Sequence, residues 1–217
     1  TFILQRLGLM RPKLNRETIW IHASSIGETK IALSLHAKLI LTYPEALFFI
    51  TTTTSSSKSL IIESEKLKHY YLPLDWQITI KKFITLIKPK ICIIVETEIW
   101  PNLINICKNN KIPITIINGR LSNKTLQTNK LIKNIYQLAL PKINLIMCKS
   151  ELEKENFINL GGSNLNIEVT GNIKFSQYSA VAAKDNIINK KYVLAVSTQP
   201  DEERQIIVEW LKTHEKK

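Results

Sequence analysis

The sequence has few of the residues that mark metal, redox and nucleotide sites. Its 217 residues include three cysteines, six glycines and four histidines, and no cysteine pair has the C-x-x-C spacing of a zinc or redox site. We therefore predict that Cys92, Cys107 and Cys148 are unpaired thiols and that no metal is bound. The glycines form neither a G-x-G-x-x-G nor a Walker phosphate loop, which argues against a dinucleotide or nucleoside triphosphate site.

Long apolar runs are also missing. A membrane-spanning helix needs about 18 or more consecutive apolar residues, and no run in this chain approaches that length. No charged-then-apolar leader opens the chain either. The chain begins at Thr1 within an ongoing pattern, so we expect that its natural start lies upstream.

Positive charge is what the sequence has in excess. Thirty lysine and arginine residues stand against eighteen acidic ones, for a formal net charge of +12. This excess favours an anionic partner such as a nucleic acid, a phosphorylated ligand or an acidic membrane face. The alternative is that compositional drift has enriched lysine throughout, so that much of the charge is only a solvated surface.

Apolar runs of strand length alternate with segments of helical period along the chain. This alternation predicts βα units around a parallel sheet, and hence an α/β fold. The predicted strands cover residues 19–23, 47–52, 69–72, 91–95, 113–117, 143–148, 167–170 and 192–197. The predicted helices cover residues 28–42, 55–66, 77–88, 100–109, 124–139, 150–160 and 201–214.

The chain changes character after residue 174. Residues 175–191 are polar and rich in alanine and lysine, which predicts a connector. Residues 192–217 then begin a new strand, turn and helix, and one βα unit cannot bury its own apolar face. We therefore predict a first domain over residues 1–174 and the truncated start of a second domain over residues 192–217.

Two predicted strands lead directly into carboxylates. One apolar run ends in Glu96 and Glu98, and another leads into a turn with Gly27 and Glu28. Open α/β sheets bind ligands in the crevice at the carboxyl ends of their strands. The sequence therefore predicts that these carboxylates face one crevice.

Four segments stand in an informative order along the chain. They are His22-Ala-Ser-Ser-Ile-Gly-Glu28, Val95-Glu-Thr-Glu-Ile-Trp-Pro-Asn102, Asn118-Gly-Arg-Leu-Ser122 and Thr170-Gly-Asn-Ile-Lys-Phe175. Together they closely resemble motifs of the 3-deoxy-D-manno-octulosonic-acid (Kdo) transferases of lipopolysaccharide assembly. The segments Leu72-Pro-Leu-Asp75 and Ala195-Val-Ser-Thr198 are similar to further elements of that family. Four ordered motifs are far more specific than any one of them.

The resemblance implies a GT-B glycosyltransferase, in which two Rossmann-like domains face a cleft. The first domain of such an enzyme holds the lipid A precursor (lipid IVA), and the second holds CMP-Kdo. The inverting reaction transfers Kdo to a sugar hydroxyl of the lipid and releases CMP, with no cofactor. This chain corresponds to the acceptor half plus the first βα unit of the donor domain, so we expect it to be inactive alone.

The resemblance also implies where the protein acts and what it meets. The expected location is the cytoplasmic face of the bacterial inner membrane, where the chain would be peripheral. The expected partners are the lipid A precursor, CMP-Kdo, mainly through the absent C-terminal domain, and the membrane surface, and not nucleic acid.

Glu28 is the predicted general base. Transfer to an alcohol needs a group that accepts the alcohol proton, and a carboxylate on a glycine turn at a strand end suits this role. The family's catalytic glutamate matches this position. The alternative is that Glu28 only complements a helix N-terminus, which contributes about 0.3–1 kcal/mol and would weaken it as a base.

Glu96 and Lys174 are the other predicted catalytic residues. Glu96 would orient the acceptor or stabilise positive charge that develops on the donor sugar. Lys174 would offset negative charge on the departing phosphate or on the Kdo carboxylate. Glu98 is predicted to bind substrate or to cap the helix that begins near Trp100-Pro101, because proline suits a first helical turn.

The remaining candidates are binding residues. Ser24, Ser25 and Gly27 line the first turn and are candidates to contact acceptor hydroxyls, whereas His22 is more simply a satisfied interior histidine. Arg120 is a candidate to clamp a phosphate or carboxylate bidentately, with a structural ion pair as the alternative.

Two rival functions stay open at this point. The first is a non-catalytic remnant that binds anionic lipid through its basic surface. The second is a complete nucleotide-binding α/β domain of unrelated function. A continued reading frame with a donor domain would favour the enzyme, and saturable binding of CMP to this chain would favour the nucleotide-binding domain.

Overall fold

The computed structural model describes residues 2–10, 14, 16–121, 123–161, 166–173, 192, 194–199 and 201–214. The chain divides into two compact units, Thr1–Tyr178 and Ser179–Lys217. The predicted connector at residues 175–191 lies outside the described residues, as does Lys174. The domain limits drawn from the sequence therefore stay predictions.

Strands and helices alternate through the first unit, as the apolar runs predict. Its described strands are β1 (Thr18–His22), β2 (Leu47–Thr52), β3 (Leu67–Tyr71), β4 (Pro89–Val95), β5 (Ile114–Gly119), β6 (Leu145–Cys148) and β7 (Ile167–Val169). Its described helices are α1 (Phe2–Arg6), α2 (Ile26–Thr42), α3 (Ser55–Lys58), α4 (Gln77–Ile87), α5 (Pro101–Asn109), α6 (Asn123–Leu126), α7 (Lys130–Ala139) and α8 (Glu151–Gly161). A 3-10 turn spans Leu140–Lys142.

Two predicted helices are shorter than expected for local reasons. The helix predicted over residues 55–66 ends after one turn, since serine side chains there bond to the backbone, as the Ser59 hydroxyl does to the Ser56 carbonyl at 2.8 Å. The helix predicted over residues 124–139 is split into α6 and α7. A new helix, α7, starts after Asn129, because the Asn129 side chain accepts the Ile132 N–H at 3.0 Å and caps this helix.

The strand predicted over residues 192–197 is wrong. Its described residues form no strand, whereas helix α9 (Glu202–His214) forms close to its predicted limits. A strand needs a neighbour to pair its backbone N–H and C=O groups. The described residues of the second unit offer none, so the apolar pattern alone does not produce a strand.

The strands of the first unit form one parallel sheet in the order β3-β2-β1-β4-β5-β6-β7. The order reverses between β1 and β4, which pair with each other. Helix α2, which follows β1, packs on one face of the sheet, and α5, which follows β4, packs on the other. A crevice therefore opens at the carboxyl edge between β1 and β4, where open α/β folds bind ligands.

The core lies on both faces of the sheet, as alternation along the strands requires. In β1, Trp20 joins the larger cluster with α4 and α5, whereas Ile21 joins the smaller cluster with α2. Trp20 packs edge-on against Phe83 of α4, with ring centroids 5.4 Å apart. The predicted fold class, an α/β parallel sheet flanked by helices, is confirmed.

Helix α1 covers the end of the edge strand β3. The Gln5 side chain accepts the N–H of Tyr71 at 3.0 Å, and the Arg6 guanidinium donates to the carbonyl of Leu72 at 2.6 Å. Phe2 packs edge-on against the Tyr71 ring. These contacts occupy backbone groups that an edge strand would otherwise leave open to pairing with another chain.

Candidate functional site

The turn after β1 holds Glu28 in a capping-box arrangement. Ser25 caps α2, and its hydroxyl oxygen accepts the Glu28 N–H at 3.3 Å. The Glu28 carboxylate in turn accepts the Ser25 hydroxyl and the Ser24 N–H, each at 2.7 Å. Glu28 is 8% exposed, and each carboxylate oxygen keeps a lone pair for a further donor. Glu28 therefore takes part in the helix cap, and its carboxylate can still accept a hydrogen bond from a substrate hydroxyl.

Gly27 has no conformational or packing need within the protein. It is not among the glycines with positive φ, and a Cβ built on it would come no nearer than 3.9 Å, to the Ser25 hydroxyl oxygen. Open space beside a helix N-terminus permits close approach of a ligand to the backbone.

A series of buried hydrogen bonds leads from Trp20 to the hydroxyl of Ser24. The Trp20 indole donates to the Thr51 hydroxyl at 2.9 Å, and the same hydroxyl lies 2.9 Å from Nδ1 of His22. Nε2 of His22 lies 3.1 Å from the Ser24 hydroxyl. Burial, against the opposing hydrogen bond with Thr51 and with a smaller contribution from the nearby Arg6 guanidinium, lowers the pKa of His22 to about 4. His22 is therefore a neutral, satisfied interior histidine that positions Ser24.

Glu98 lies beside the other two carboxylates. Burial raises its pKa, and the negative charges of Glu28 and Glu96 add to the rise, whereas the Ser24 hydroxyl and the Trp100 indole oppose it. The Trp100 Nε1 is buried and completes no hydrogen bond within ordinary geometric limits. The structure thus brings together the three carboxylates that the strand-end pattern places in one crevice.

Glu96 sits between two cations. Its carboxylate lies 3.5 Å from Nε of Arg120 and 3.7 Å from Nζ of Lys149. Glu96 and Lys149 are largely buried, but the Arg120 side chain is 57% exposed. Arg120 therefore forms a structural ion pair, which was the alternative to a ligand-binding role. Its guanidinium is still partly accessible to solvent.

The backbone at Glu96 is left-handed, with φ at 59°. Its N–H continues the sheet pairing by donating to the Ile117 carbonyl at 2.9 Å. The next residue, Thr97, joins the turns after β4 and β5, because its hydroxyl accepts the Arg120 N–H at 3.2 Å. Non-glycine residues with positive φ cluster at sites where tertiary structure fixes an unfavourable backbone.

Asp75 ties the turn after β3 to the start of α5. Its two carboxylate oxygens accept the N–H groups of Asn102 and Leu103, both at 2.9 Å. The Asn102 side chain returns a bond to the Asp75 carbonyl at 2.6 Å. Burial raises the pKa of Asp75, and the two backbone donors oppose the rise. This remote cap replaces a local one, since Trp100 at the N-cap makes no side-chain cap bond.

Three residues near the crevice were missed by the sequence reasoning. Lys149 directly follows β6, so the strand-end rule that selected Arg120 would also have found it. Tyr136 lies on α7 near Glu98, whose charge adds to burial in raising the pKa of the tyrosine. Arg6 gave no signal, because α1 is too short to show a helical period.

The cysteines and the other potential ligands were also located. Cys92, Cys107 and Cys148 are free and buried. Among the described residues, no three His, Cys, Asp or Glu side chains group in a way that could hold a metal ion. Lys174, the third predicted catalytic residue, lies outside that part of the chain.

Solved structures share the fold of the first unit. The UDP-GlcNAc 2-epimerase from Methanocaldococcus jannaschii matches with a TM-score of 0.50 and 14% identity, over 72% of this chain and 46% of that chain. The putative UDP-N-acetylglucosamine 2-epimerase from Listeria monocytogenes gives the same TM-score and identity, over 73% and 45%. At this identity the likeness shows the Rossmann-like fold, one half of a GT-B architecture, and nothing about the reaction.

Curated relatives give a narrower result. The 3-deoxy-D-manno-octulosonic acid transferase of Rickettsia bellii is 34% identical over 89% of this chain and 48% of its own length. That of Haemophilus influenzae is 36% identical over 72% and 37%, and a bifunctional glycosyltransferase/methyltransferase of Fusobacterium nucleatum is 33% identical over 95% and 34%. The chain thus spans about a third to a half of the relatives it matches.

The family assignment rests on most of the chain. A profile described as "3-Deoxy-D-manno-octulosonic-acid transferase (kdotransferase)" matches residues 2–177. This range includes the turns after β1, β4 and β5, which carry the carboxylates of the crevice and Arg120. The chain therefore belongs to the 3-deoxy-D-manno-octulosonic-acid (Kdo) transferase family.

Proposed function

We propose that this chain is the acceptor-binding half of a glycosyltransferase that moves Kdo from CMP-Kdo to the lipid A precursor, lipid IVA. One observation carries the proposal. Glu28 lies at the switch point of the sheet with an oriented carboxylate, and Glu96 and Glu98 lie in the same crevice. Carboxylates at this position are suited to accepting an alcohol proton beside an activated sugar.

Glu28 would accept the proton of the attacking hydroxyl. The hydroxyl oxygen forms the new bond to the anomeric carbon of Kdo, and the bond from that carbon to the CMP phosphate breaks, with inversion. Ser24 and Ser25 support the base, because each already donates one hydrogen bond to its carboxylate. The electron pair of the broken bond leaves with the phosphate of CMP.

The other charges of the crevice would serve the two substrates. The negative charge of Glu96 would stabilise the positive charge that develops on the donor sugar. Arg120 and Lys149 hold the Glu96 carboxylate in place. Glu98 would bind an acceptor hydroxyl. Arg120 would also contact a phosphate or carboxylate through its exposed face. We retain the predicted role of Lys174 against the charge of the departing phosphate.

The donor nucleotide would bind elsewhere in the whole enzyme. The chain spans less than half of its Rickettsia and Haemophilus relatives, and no turn in its sequence forms a phosphate cradle. We expect no saturable binding of CMP or CMP-Kdo by the 217-residue chain at millimolar concentration. Isothermal titration calorimetry checks this, and saturable CMP binding would favour the unrelated nucleotide-binding domain instead.

Helix α7 presents an apolar face beside the crevice. Leu131, Ile135 and Leu138 recur at helical spacing, and Leu131 and Leu138 are 74% and 68% exposed. Lys130 and Lys133 lie on the same helix, Lys130 exposed and Lys133 half-buried. Among the described helices, none has the length and apolar character to cross a membrane. We propose that α7 and the basic surface bring the chain to the cytoplasmic face of the inner membrane, where lipid IVA is embedded.

Vesicle co-sedimentation tests this location. We expect the chain to bind anionic or lipid A-containing vesicles, because each lysine or arginine near an anionic surface contributes about 1 kcal/mol. Binding should fall with salt, since the Debye length shrinks from about 10 Å at 0.1 M to about 3 Å at 1 M. Replacing Leu131 and Leu138 by serine should weaken binding.

A matched control is Leu41→Ser, which removes an even more exposed leucine, 82% exposed, from α2. We expect this variant to bind vesicles as the unchanged chain does. Equal binding to neutral vesicles, or none to anionic ones at low salt, would contradict the membrane proposal. Vesicle binding without any Kdo transfer by the whole protein would instead favour the lipid-binding remnant.

A further inference from the structure

One direction alone satisfies every donor in the buried hydrogen bonds that lead from Trp20 to Ser24. Trp20, Thr51 and His22 are fully buried, so their polar atoms depend on partners inside the protein. The Trp20 indole N–H can only donate, and it donates to the Thr51 hydroxyl oxygen at 2.9 Å. Among the described residues, Nδ1 of His22, also 2.9 Å away, is the only acceptor within reach of the Thr51 hydroxyl proton. The Thr51 hydroxyl therefore donates to His22.

The tautomer of His22 follows from the bond with Thr51. If Nδ1 accepts the Thr51 proton, the neutral ring carries its own proton on Nε2. Burial lowers the pKa of His22 to about 4, which keeps the ring neutral near neutral pH. Nε2 lies 3.1 Å from the Ser24 hydroxyl oxygen. The ring therefore donates to this oxygen, and the Ser24 hydroxyl proton points elsewhere.

The reverse direction leaves a buried donor without an acceptor. If Ser24 donated to Nε2, the His22 ring would carry its proton on Nδ1, beside the Thr51 hydroxyl oxygen. That oxygen already accepts the Trp20 N–H. The Thr51 hydroxyl proton would then have no acceptor among the described residues, and an unsatisfied buried donor is destabilising.

The Ser24 hydroxyl proton is thus left for the crevice. Ser24 is half-buried, and among the described residues its hydroxyl has one hydrogen bond of ordinary geometry, the one with His22. The half-buried Glu98 carboxyl lies close enough for the Ser24 hydroxyl to oppose the rise in its pKa. A donor and an acceptor therefore lie side by side. Such a pair complements a ligand hydroxyl, which can accept one hydrogen bond and donate another.

We propose that Thr51 and His22 are positioning residues that fix the Ser24 hydroxyl as a donor toward the crevice, where Ser24 and Glu98 together recognise a hydroxyl group of the acceptor sugar. The identity of this ligand rests on the proposed function. The direction of the hydrogen bonds does not, because it follows from the donors and acceptors of buried side chains.

NMR of the histidine ring nitrogens in the 217-residue chain tests the direction. Near neutral pH, His22 should show a protonated Nε2 and an unprotonated Nδ1 whose chemical shift is displaced by the bond from Thr51. Thr51→Val has nearly the same shape but no hydroxyl, so Nδ1 should move to the shift of a free unprotonated nitrogen. Thr51→Ser keeps the hydroxyl and should keep the displaced shift.

Thr52→Val is the matched control. Thr52 follows Thr51 on β2, and its hydroxyl lies 2.9 Å from Nε2 of a different histidine, His69. This variant should leave the ring nitrogens of His22 unchanged. A proton on Nδ1 of His22 in the unsubstituted chain, or an unchanged Nδ1 shift in Thr51→Val, would overturn the direction. The first of these outcomes is measured without any substitution.

Kinetics of the proposed full-length enzyme test the recognition of the sugar hydroxyl. Ser24→Ala removes the donor and should raise KM for the lipid about two- to tenfold, as the loss of one net hydrogen bond implies. Thr51→Val should raise it in the same direction, and Thr51→Ser should restore it. Because Thr51 acts through Ser24, Thr51→Val should add little in the Ser24→Ala background. KM for CMP-Kdo should stay unchanged in all of these variants.

The two measurements fail separately. An unchanged KM for the lipid in Ser24→Ala would overturn the recognition of the sugar hydroxyl, and additive effects of the two substitutions would overturn the positioning role of Thr51. Absence of Kdo transfer by the unsubstituted enzyme would overturn the proposed function, and with it the identity of the ligand. The NMR measurement would still decide the direction of the hydrogen bonds.

Discussion

Replacing Glu28 by glutamine is expected to lower kcat for Kdo transfer about 10²–10⁴-fold in the proposed full-length enzyme. An amide cannot accept the proton of the attacking hydroxyl. It can still occupy the same place, because its oxygen can accept the Ser24 N–H and its nitrogen can donate to the Ser25 hydroxyl oxygen. The loss should therefore appear in kcat, with the fold and the affinity for the lipid acceptor little changed.

Steady-state kinetics with thermal melting of the same samples checks this prediction. The melting curve guards against a trivial explanation, because Glu28 also belongs to the cap of α2. Retention of more than about a tenth of the activity would remove Glu28 from the role of base. A large drop in melting temperature with proportionate loss of activity would assign the residue to the helix cap alone.

Acid is expected to destabilise the fold through its buried histidines. Burial lowers the pKa of both His22 and His69 to about 4 from the ordinary 6.5. The unfolded chain therefore binds protons at higher pH than the folded chain does. Above about pH 6.5 both states are neutral at these histidines and the free energy of unfolding does not depend on them. As the pH falls from 6.5 toward 4, protonation of the unfolded chain lowers the free energy of unfolding.

The expected size follows from the linkage between protonation and stability. At pH 5, His22 alone should lower the free energy of unfolding by about 2 kcal/mol, since each pH unit below 6.5 costs about 1.4 kcal/mol. His69 should add less, because it is partly accessible to solvent. The raised pKa values of Glu98 and Asp75 have the opposite effect, because the folded chain binds protons at these groups more readily than the unfolded chain does. They therefore increase the free energy of unfolding as the pH falls.

Urea unfolding at pH 7.5, 6 and 5 measures this dependence. His69→Gln should reduce the slope between pH 6.5 and 5, because glutamine can replace the bond to the Thr52 hydroxyl but does not titrate. A free energy of unfolding that stays constant across this range would show that the two histidines are not held neutral by burial. It would also undermine the proposed support of Ser24 by His22.

Much of the crevice was predictable from the order of residues along the chain. Apolar runs that end in Glu96 and Glu98, or lead into Glu28, follow a simple rule, because carboxyl ends of parallel strands share one edge. Which neighbour each carboxylate meets was not predictable. The left-handed backbone at Glu96 directs its side chain between Arg120 and Lys149, and spacing in the sequence does not encode such a turn.

Long-range contacts explain the remaining differences between sequence and structure. Asp75 caps α5 from a distant turn, and Asn118 reaches Ile173 across 55 residues. Neither contact has a local signature, since each depends on strand order. The strand predicted over residues 192–197 failed for the same reason, because an apolar pattern becomes a strand only when a partner is present.

Transfer of Kdo to lipid IVA is the measurement that tests the central claim most directly. The assay incubates lipid IVA and CMP-Kdo with the proposed full-length enzyme, in which a CMP-Kdo-binding domain follows this chain, and analyses the lipid by mass spectrometry. The predicted result is lipid IVA that carries Kdo, released CMP in equal amount, and no product with the 217-residue chain alone. Unmodified lipid from an enzyme that binds both substrates would contradict the account.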